Sequence, residues 1–247
     1  MATIHDVHET AARIRENVSQ VIVGKEDIVN LLIVAVLCEG HVLLEDVPGI
    51  GKTTLAKVLA RSLGCSFQRI QFTPDLLPSD ITGVSTYNQR SGEFEFRAGP
   101  VMAQIVLADE INRAGPRTQS ALLEVMQERQ VTVDGVTRPV PRPFLVLATQ
   151  NPIELEGTFP LPEAQMDRFL MRLELGYPST EEERAIMRRF RQSDPLSELA
   201  PVISGEALLE LGRTCRRVFI HEAIESYSIS LVHSTRENDS LALGASP

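Results

Sequence analysis

The chain has 247 residues, of which 43% are hydrophobic and 23% charged, a composition that suits one sizeable globular domain or two small ones. Its net charge of −9 argues against a general nucleic-acid sheath, because phosphate binding needs a basic face. No apolar run approaches the ~20 residues of a membrane helix, and the polar stretch 1–9 lacks the apolar centre of a signal peptide, so the expectation is a cytoplasmic protein with no membrane partner.

Ile4, Val7, Ala11, Ile14 and Val18 recur at helical intervals and predict an amphipathic N-terminal helix. Residues 26–39 read as a second, more apolar helix, with Gly40 placed to end it in the left-handed conformation. The apolar run 41–44 is a buried strand, and 52–63 a helix closed by Gly64. Strands follow at 66–72, 104–108, 144–149 and 170–175, and Pro116 opens a helix running to Glu128. Strands alternating with helices predict an α/β fold: a parallel sheet with helices on both faces. Two stretches break the rhythm. Residues 84–96, around Ser91-Gly92, and 131–140, around Asp134-Gly135, read as hairpin insertions. Tyr177-Pro178-Ser179 marks a boundary, where Ser179 and Glu182 form a capping box. Helices are expected at 180–191, 205–216 and 221–235, so the chain divides into a base domain at 1–178 and a small helical domain at 179–247. Cys38, Cys65 and Cys215 lack ligand spacing and read as reduced, buried thiols, and the five histidines show no metal spacing.

The chemistry concentrates in a few segments. Asp46-Val47-Pro48-Gly49-Ile50-Gly51-Lys52-Thr53-Thr54 joins a predicted strand to a predicted helix. Backbone N–H groups of such a loop, with the helix N-terminus behind them, cradle the phosphates of ATP or ADP. Gly49 and Gly51 allow close approach, Lys52 reaches the β- and γ-phosphates, and the Thr53 hydroxyl suits Mg²⁺. Asp46 stands where the usual pattern has its first glycine. The apolar strand ending in Asp109-Glu110 supplies one carboxylate for the Mg²⁺ shell, Asp109, and one general base for the attacking water, Glu110. Asn151, past the next strand, can hold that water, although Asn151-Pro152 is also a turn signal. Arg168 is either a surface ion-pair partner or a residue serving a neighbouring subunit's ATP, and Arg113 stands in the same position.

Together these segments resemble the MoxR family of AAA+ ATPases from about Val21 onward. The resemblance is carried by Val23-Gly24-Lys25, the loop 44–53, Gln71-Phe72-Thr73-Pro74-Asp75-Leu76-Leu77-Pro78-Ser79-Asp80, Phe96-Arg97-Ala98-Gly99-Pro100, Asp109-Glu110-Ile111-Asn112-Arg113-Ala114, Ala148-Thr149-Gln150-Asn151-Pro152 and the segment 161–169. It implies that residues 21–24, Val23 and Gly24 among them, line an adenine pocket. It also implies that Asn151 is the sensor-1 residue and that Arg168 is an arginine finger acting across a subunit interface. The hairpins would face the axial pore of a ring, a hexamer. Such proteins look like chaperone-like ATPases paired with von Willebrand A domain proteins and engaged in maturing, or inserting metal into, client enzymes. In this family Gly244-Ala245-Ser246-Pro247 precedes a sensor-2 arginine, so the lid is expected to be incomplete, leaving Leu208 and Leu231 partly exposed. A magnesium-chelatase-like motor subunit and a nucleotide-gated scaffold with incidental turnover are the rival readings. A DNA motor is disfavoured by the charge, and no client is legible.

Overall fold

The computed structural model describes residues 2–47, 49–152, 157–191, 195–241 and 244–246. Helix α1 (Ile4–Ser19) begins at Thr3, whose hydroxyl accepts the Asp6 N–H while the Asp6 carboxylate accepts the Thr3 N–H. After α2 (Glu26–Cys38) come β1 (Val42–Glu45), α3 (Lys52–Ser62), β2 (Phe67–Gln71) and the short α4 (Pro78–Thr82). A hairpin of β3 (Gly83–Asn88) and β4 (Glu93–Ala98) leads to β5 (Ile105–Asp109), a 3₁₀ turn at Ile111–Arg113 and α5 (Pro116–Glu128). A second hairpin, β6 (Gln130–Val133) and β7 (Val136–Pro139), precedes β8 (Leu145–Gln150), α6 (Glu163–Met166) and β9 (Met171–Leu173). The remainder is helical: α7 (Thr180–Phe190), α8 (Pro195–Glu198), α9 (Gly205–Cys215) and α10 (Glu222–Arg236). Among the described residues no helix is long and apolar enough to cross a membrane.

The central sheet has the order β2-β5-β8-β1-β9, and every pairing in it is parallel. The three inner strands are buried along nearly their whole length, which is why they read as unbroken apolar runs. Alternation sends their side chains to two separate cores. Val42, Leu44, Leu107 and Leu147 pack with α1, α2 and α3; Leu43, Val106 and Val146 pack with α5. The strands therefore end together, with the carboxyl ends of β1, β5 and β8 side by side. Outside the sheet, Asp134 and Gly135 both have positive φ, the turn expected from that dipeptide. The two hairpins meet where Arg138 lies over the Phe96 ring at 4.1 Å.

Several expectations need correction. The left-handed residue after α2 is Glu39, at φ 53°, not Gly40. Gly40 is small for another reason: a Cβ there would lie 2.5 Å from Leu170 Cδ2. Cys38 is exposed, because it lies on the outer side of the last turn of α2, and Cys65 and Cys215 are only partly buried. Burial still pushes the Cys65 thiol up to about 11, so it stays protonated. Leu231 is half exposed as expected, but Leu208 is buried where α9 packs against α1 and α2. The short helices α4 and α8 and the 3₁₀ turn carry too few residues to show a period in the sequence.

Candidate nucleotide site

The glycine-rich loop runs from the end of β1 to the start of α3. Gly49 and Gly51 hold left-handed φ values of 86° and 91°, which a residue with a Cβ adopts only under strain. Around both, the space that a Cβ would fill is open, so the loop backbone faces a cleft directly. Gly51 is the N-cap of α3 and offers no side chain to the helix's first N–H groups, which leaves them available to an anion. Lys52 Nζ donates to the carbonyls of Asp46 at 2.7 Å and Val47 at 3.1 Å. Burial holds its pKa below the ordinary lysine value, with Asp46, Asp109 and Glu110 opposing the shift. Pro48 lies outside the described residues.

Asp46 does something the sequence did not announce. Its carboxylate turns away from the cleft and accepts the backbone N–H groups of Leu175 at 2.5 Å and Gly176 at 2.9 Å. It ties the loop to the chain leaving β9, so an aspartate here is a brace between the ends of two neighbouring strands. Val47 likewise contributes its carbonyl and does not line the cleft.

The carboxyl ends of β5 and β8 complete the opposite wall. Asp109 is 8% exposed, and Thr149 Oγ1 donates to its Oδ1 at 2.6 Å. The same Thr149 oxygen accepts the N–H of Glu110 at 2.8 Å, fixing that residue in a left-handed conformation at φ 58°. Glu110 Oε2 accepts from Gln71 Nε2 at 3.0 Å and pairs with Arg113 Nε at 3.0 Å. One cleft of about 370 Å³ brings together Gly49, Gly51, Lys52, Thr53, Thr54, Asp109, Glu110 and Asn151. Its remaining walls are Thr149 and Gln150, which the sequence placed only within the motif that carries Asn151, and Arg69, which sequence reasoning did not single out. Arg69 and Gln71 alternate on a strand of mixed polarity, and only the pairing of β2 with β5 aims them at the acids.

A second space of about 530 Å³ opens beside the loop. Val21, Ile22, Val23 and Lys25 form one side, Gly49, Ile50 and Gly51 the floor, and Ile186, Met187 and Phe190 of α7 the other side. It is a largely apolar slot next to an anion cradle, the combination that a nucleotide's base and phosphates require. Gly24 is absent from its lining. Its role is close approach: a Cβ would fall 1.5 Å from the Glu182 carboxylate, which caps α7. Glu183, Ile186 and Phe190 recur at helical spacing on α7, so one face of that helix lines the slot.

Arg168 is not in either space. Its Nη1 donates to the Leu123 carbonyl at 3.2 Å, and it lines a separate surface cleft with Ser120, Glu124, Gln127 and Gln165.

Comparison with known proteins agrees with this geometry. Residues 41–171, more than half of the chain, match the model of the ATPase family associated with various cellular activities (AAA). The whole chain is 53% identical to YeaC, an uncharacterized protein of Bacillus subtilis, spanning 77% of its length. Over 98% of the chain it is 48% identical to the chaperone MoxR1 of Mycobacterium tuberculosis, covering 66% of that protein. Over 93% it is 33% identical to MoxR of Methylorubrum extorquens, covering 70% of it. In three dimensions it is similar to a candidate ATPase from Cytophaga hutchinsonii, with a TM-score of 0.84 and 44% identity over 94% of this chain and 73% of that one. A parallel sheet, a glycine-rich loop feeding a helix, and these relatives agree: the chain is an ATPase of the AAA+ class and belongs to the MoxR family.

Proposed function

We propose that the chain hydrolyses Mg²⁺–ATP in the cleft at the ends of β1, β5 and β8, within a ring of identical subunits, and uses the energy to remodel client proteins. The observation that carries the reading is that Lys52, Thr53, Asp109, Glu110 and Asn151 line one cleft. The loop N–H groups and Lys52 bind the β- and γ-phosphates; the carbonyls that Lys52 now bonds are its resting partners. Thr53 and Asp109 fit a Mg²⁺ ion. They offer one hydroxyl and one carboxylate, and among the described residues no cluster of three or more His, Cys, Asp or Glu forms an all-protein cage. That is the sparse, all-oxygen set this cation takes when water and phosphates complete its shell. When bound, the ion neutralises charge developing on the phosphates. Glu110 accepts the proton of the attacking water, and Asn151 orients that water. Val23 and its neighbours, with α7, enclose the base.

The base at 1–178 and the helical segment at 179–247 act as two units around this nucleotide. Arg168, remote from its own cleft, serves the next subunit's γ-phosphate in a hexamer. The chaperone-like role and a von Willebrand A domain partner rest on the likeness to MoxR proteins, one of which is named a chaperone. The first test is Lys52→Ala. ATP at 100 times its dissociation constant should stabilise the native chain by roughly 2.7 kcal/mol in thermal melts. The variant should fold and show no such shift; an equal shift would remove Lys52 from nucleotide binding.

A further inference from the structure

The carboxylate that this function gives to the metal already has a cationic partner. Arg69 reaches Asp109 Oδ2 twice, from Nε at 2.9 Å and from Nη2 at 2.6 Å, while Thr149 fills Oδ1. The Arg69 side chain is 45% exposed and that of Asp109 12%, so a cation leans in from solvent onto a nearly buried anion. Arg69 comes from the edge strand β2 and lines the phosphate cleft together with Lys52 and Thr53. Gln71, two residues on and so on the same face of β2, accepts from Arg69 Nη2 and donates to Glu110. One exposed strand edge thus holds both acids of the cleft.

A guanidinium on Oδ2 and a hydrated divalent cation bound through Asp109 compete for one anion, and they repel each other in a cleft of reduced dielectric. Arg69 has a route out: nearly half its side chain already meets water, and the incoming cation takes over the charge of the nearly buried Asp109. We propose that Arg69 is a latch on Asp109: it neutralises the carboxylate in the nucleotide-free chain, leaves it when Mg²⁺–nucleotide binds, and so sets the Mg²⁺ concentration that binding requires. The latch rests on the reading of Asp109 and Thr53 as the Mg²⁺ side of the cleft. A purely structural Arg69, one that holds Asp109 in place for the metal, predicts the opposite sign.

The test is the affinity of a fluorescent ADP analogue for the full chain, titrated with Mg²⁺ and repeated in chelator, for the native chain, Arg69→Gln and Arg69→Lys. Removing a charge-assisted hydrogen bond from Asp109 should lower the Mg²⁺ concentration at half-effect by about tenfold in Arg69→Gln. Arg69→Lys, which keeps the charge but offers a single-point contact, should fall between. Affinity in chelator should fall in Arg69→Gln, which removes a cation from the phosphate cleft, so the Mg²⁺ half-effect of each variant is read against its own affinity in chelator. Melting curves come first; if Arg69→Gln does not fold, the shift in Arg69→Lys decides alone. An unchanged or raised Mg²⁺ requirement in the folded variants, with the native chain still Mg²⁺-dependent, overturns the latch and leaves the metal reading standing. A native chain whose nucleotide affinity ignores Mg²⁺ overturns the metal reading and the latch with it.

Discussion

His41 and Glu110 show how a single side chain is set by what surrounds it. His41 is 5% exposed, with Nδ1 accepting the Val146 N–H at 3.0 Å and Nε2 therefore donating to the Met126 carbonyl at 3.1 Å. Burial pushes its pKa down to about 4; the Met126 bond opposes this and the Arg129 charge adds to it. A depressed pKa means that the unfolded chain takes up the proton first. The stabilisation is whole above about pH 6.5 and is lost as pH falls towards 4, by about 3 kcal/mol across that window. Urea melts at stepped pH should show this slope, and His41→Asn, which cannot titrate, should flatten it. An identical slope in the variant would place the titration elsewhere. At Glu110 the backbone is held left-handed by Thr149, and the carboxylate sits between Gln71 and Arg113. Glu110→Gln keeps the shape but cannot accept a proton. It should bind ATP and release phosphate at least about a hundredfold more slowly. Equal phosphate release would remove Glu110 from the chemistry.

Among the elements, the helices α2, α5 and α9 end at one place. Their C-caps are Glu39, Arg129 and Arg216, and the carboxylate of Glu39 binds Arg129 at 2.6 Å and Arg142 at 2.6 Å, with Arg216 at 3.7 Å. The arginines offset both the buried carboxylate and the negative ends of the helices, and against the effect of burial Arg142 and Arg129 hold the Glu39 pKa below the usual value. This is how a glutamate comes to occupy a left-handed position suited to glycine. The same junction explains Gly212 of α9, where a Cβ would meet the Leu37 carbonyl oxygen at 2.7 Å. Gly212→Ala should gain ~1 kcal/mol of helix propensity but lose more, up to ~3 kcal/mol, by forcing two backbones apart. A net fall in melting temperature is expected; a rise would mean that α9 docks loosely on α2.

At the scale of the molecule, Arg168 and the phosphate cleft are separate features of one chain, so the arginine-finger role proposed for Arg168 requires a second chain. Arg168→Ala should bind ATP normally and lose roughly 10³-fold or more in turnover. Mixed with an excess of Lys52→Ala subunits, it should regain activity at interfaces where an intact arginine faces an intact loop. Assemblies shown to be mixed that recover no phosphate release at any ratio would count against action in trans.

The sheet and the glycine-rich loop were legible in the sequence because their signals are local. Continuous apolar runs mark strands buried on both faces, two glycines before Lys52 mark a loop that turns left-handed, and Asp134-Gly135 marks its own turn. A strand end followed by Asp109-Glu110 is a local pattern too. Arg69, the brace from Asp46 to residues 175 and 176, and the α7 wall of the apolar slot were not legible, because each acts on a partner far along the chain. Their residue types are ordinary for an exposed strand, a loop and a surface helix. Only strand order and register decide that Arg69 points at a carboxylate forty residues away, and only the arginines gathered on its carboxylate let Glu39 rather than Gly40 take the left-handed turn. Local periodicity determined the elements; long-range pairing of charge with charge decided what those elements hold.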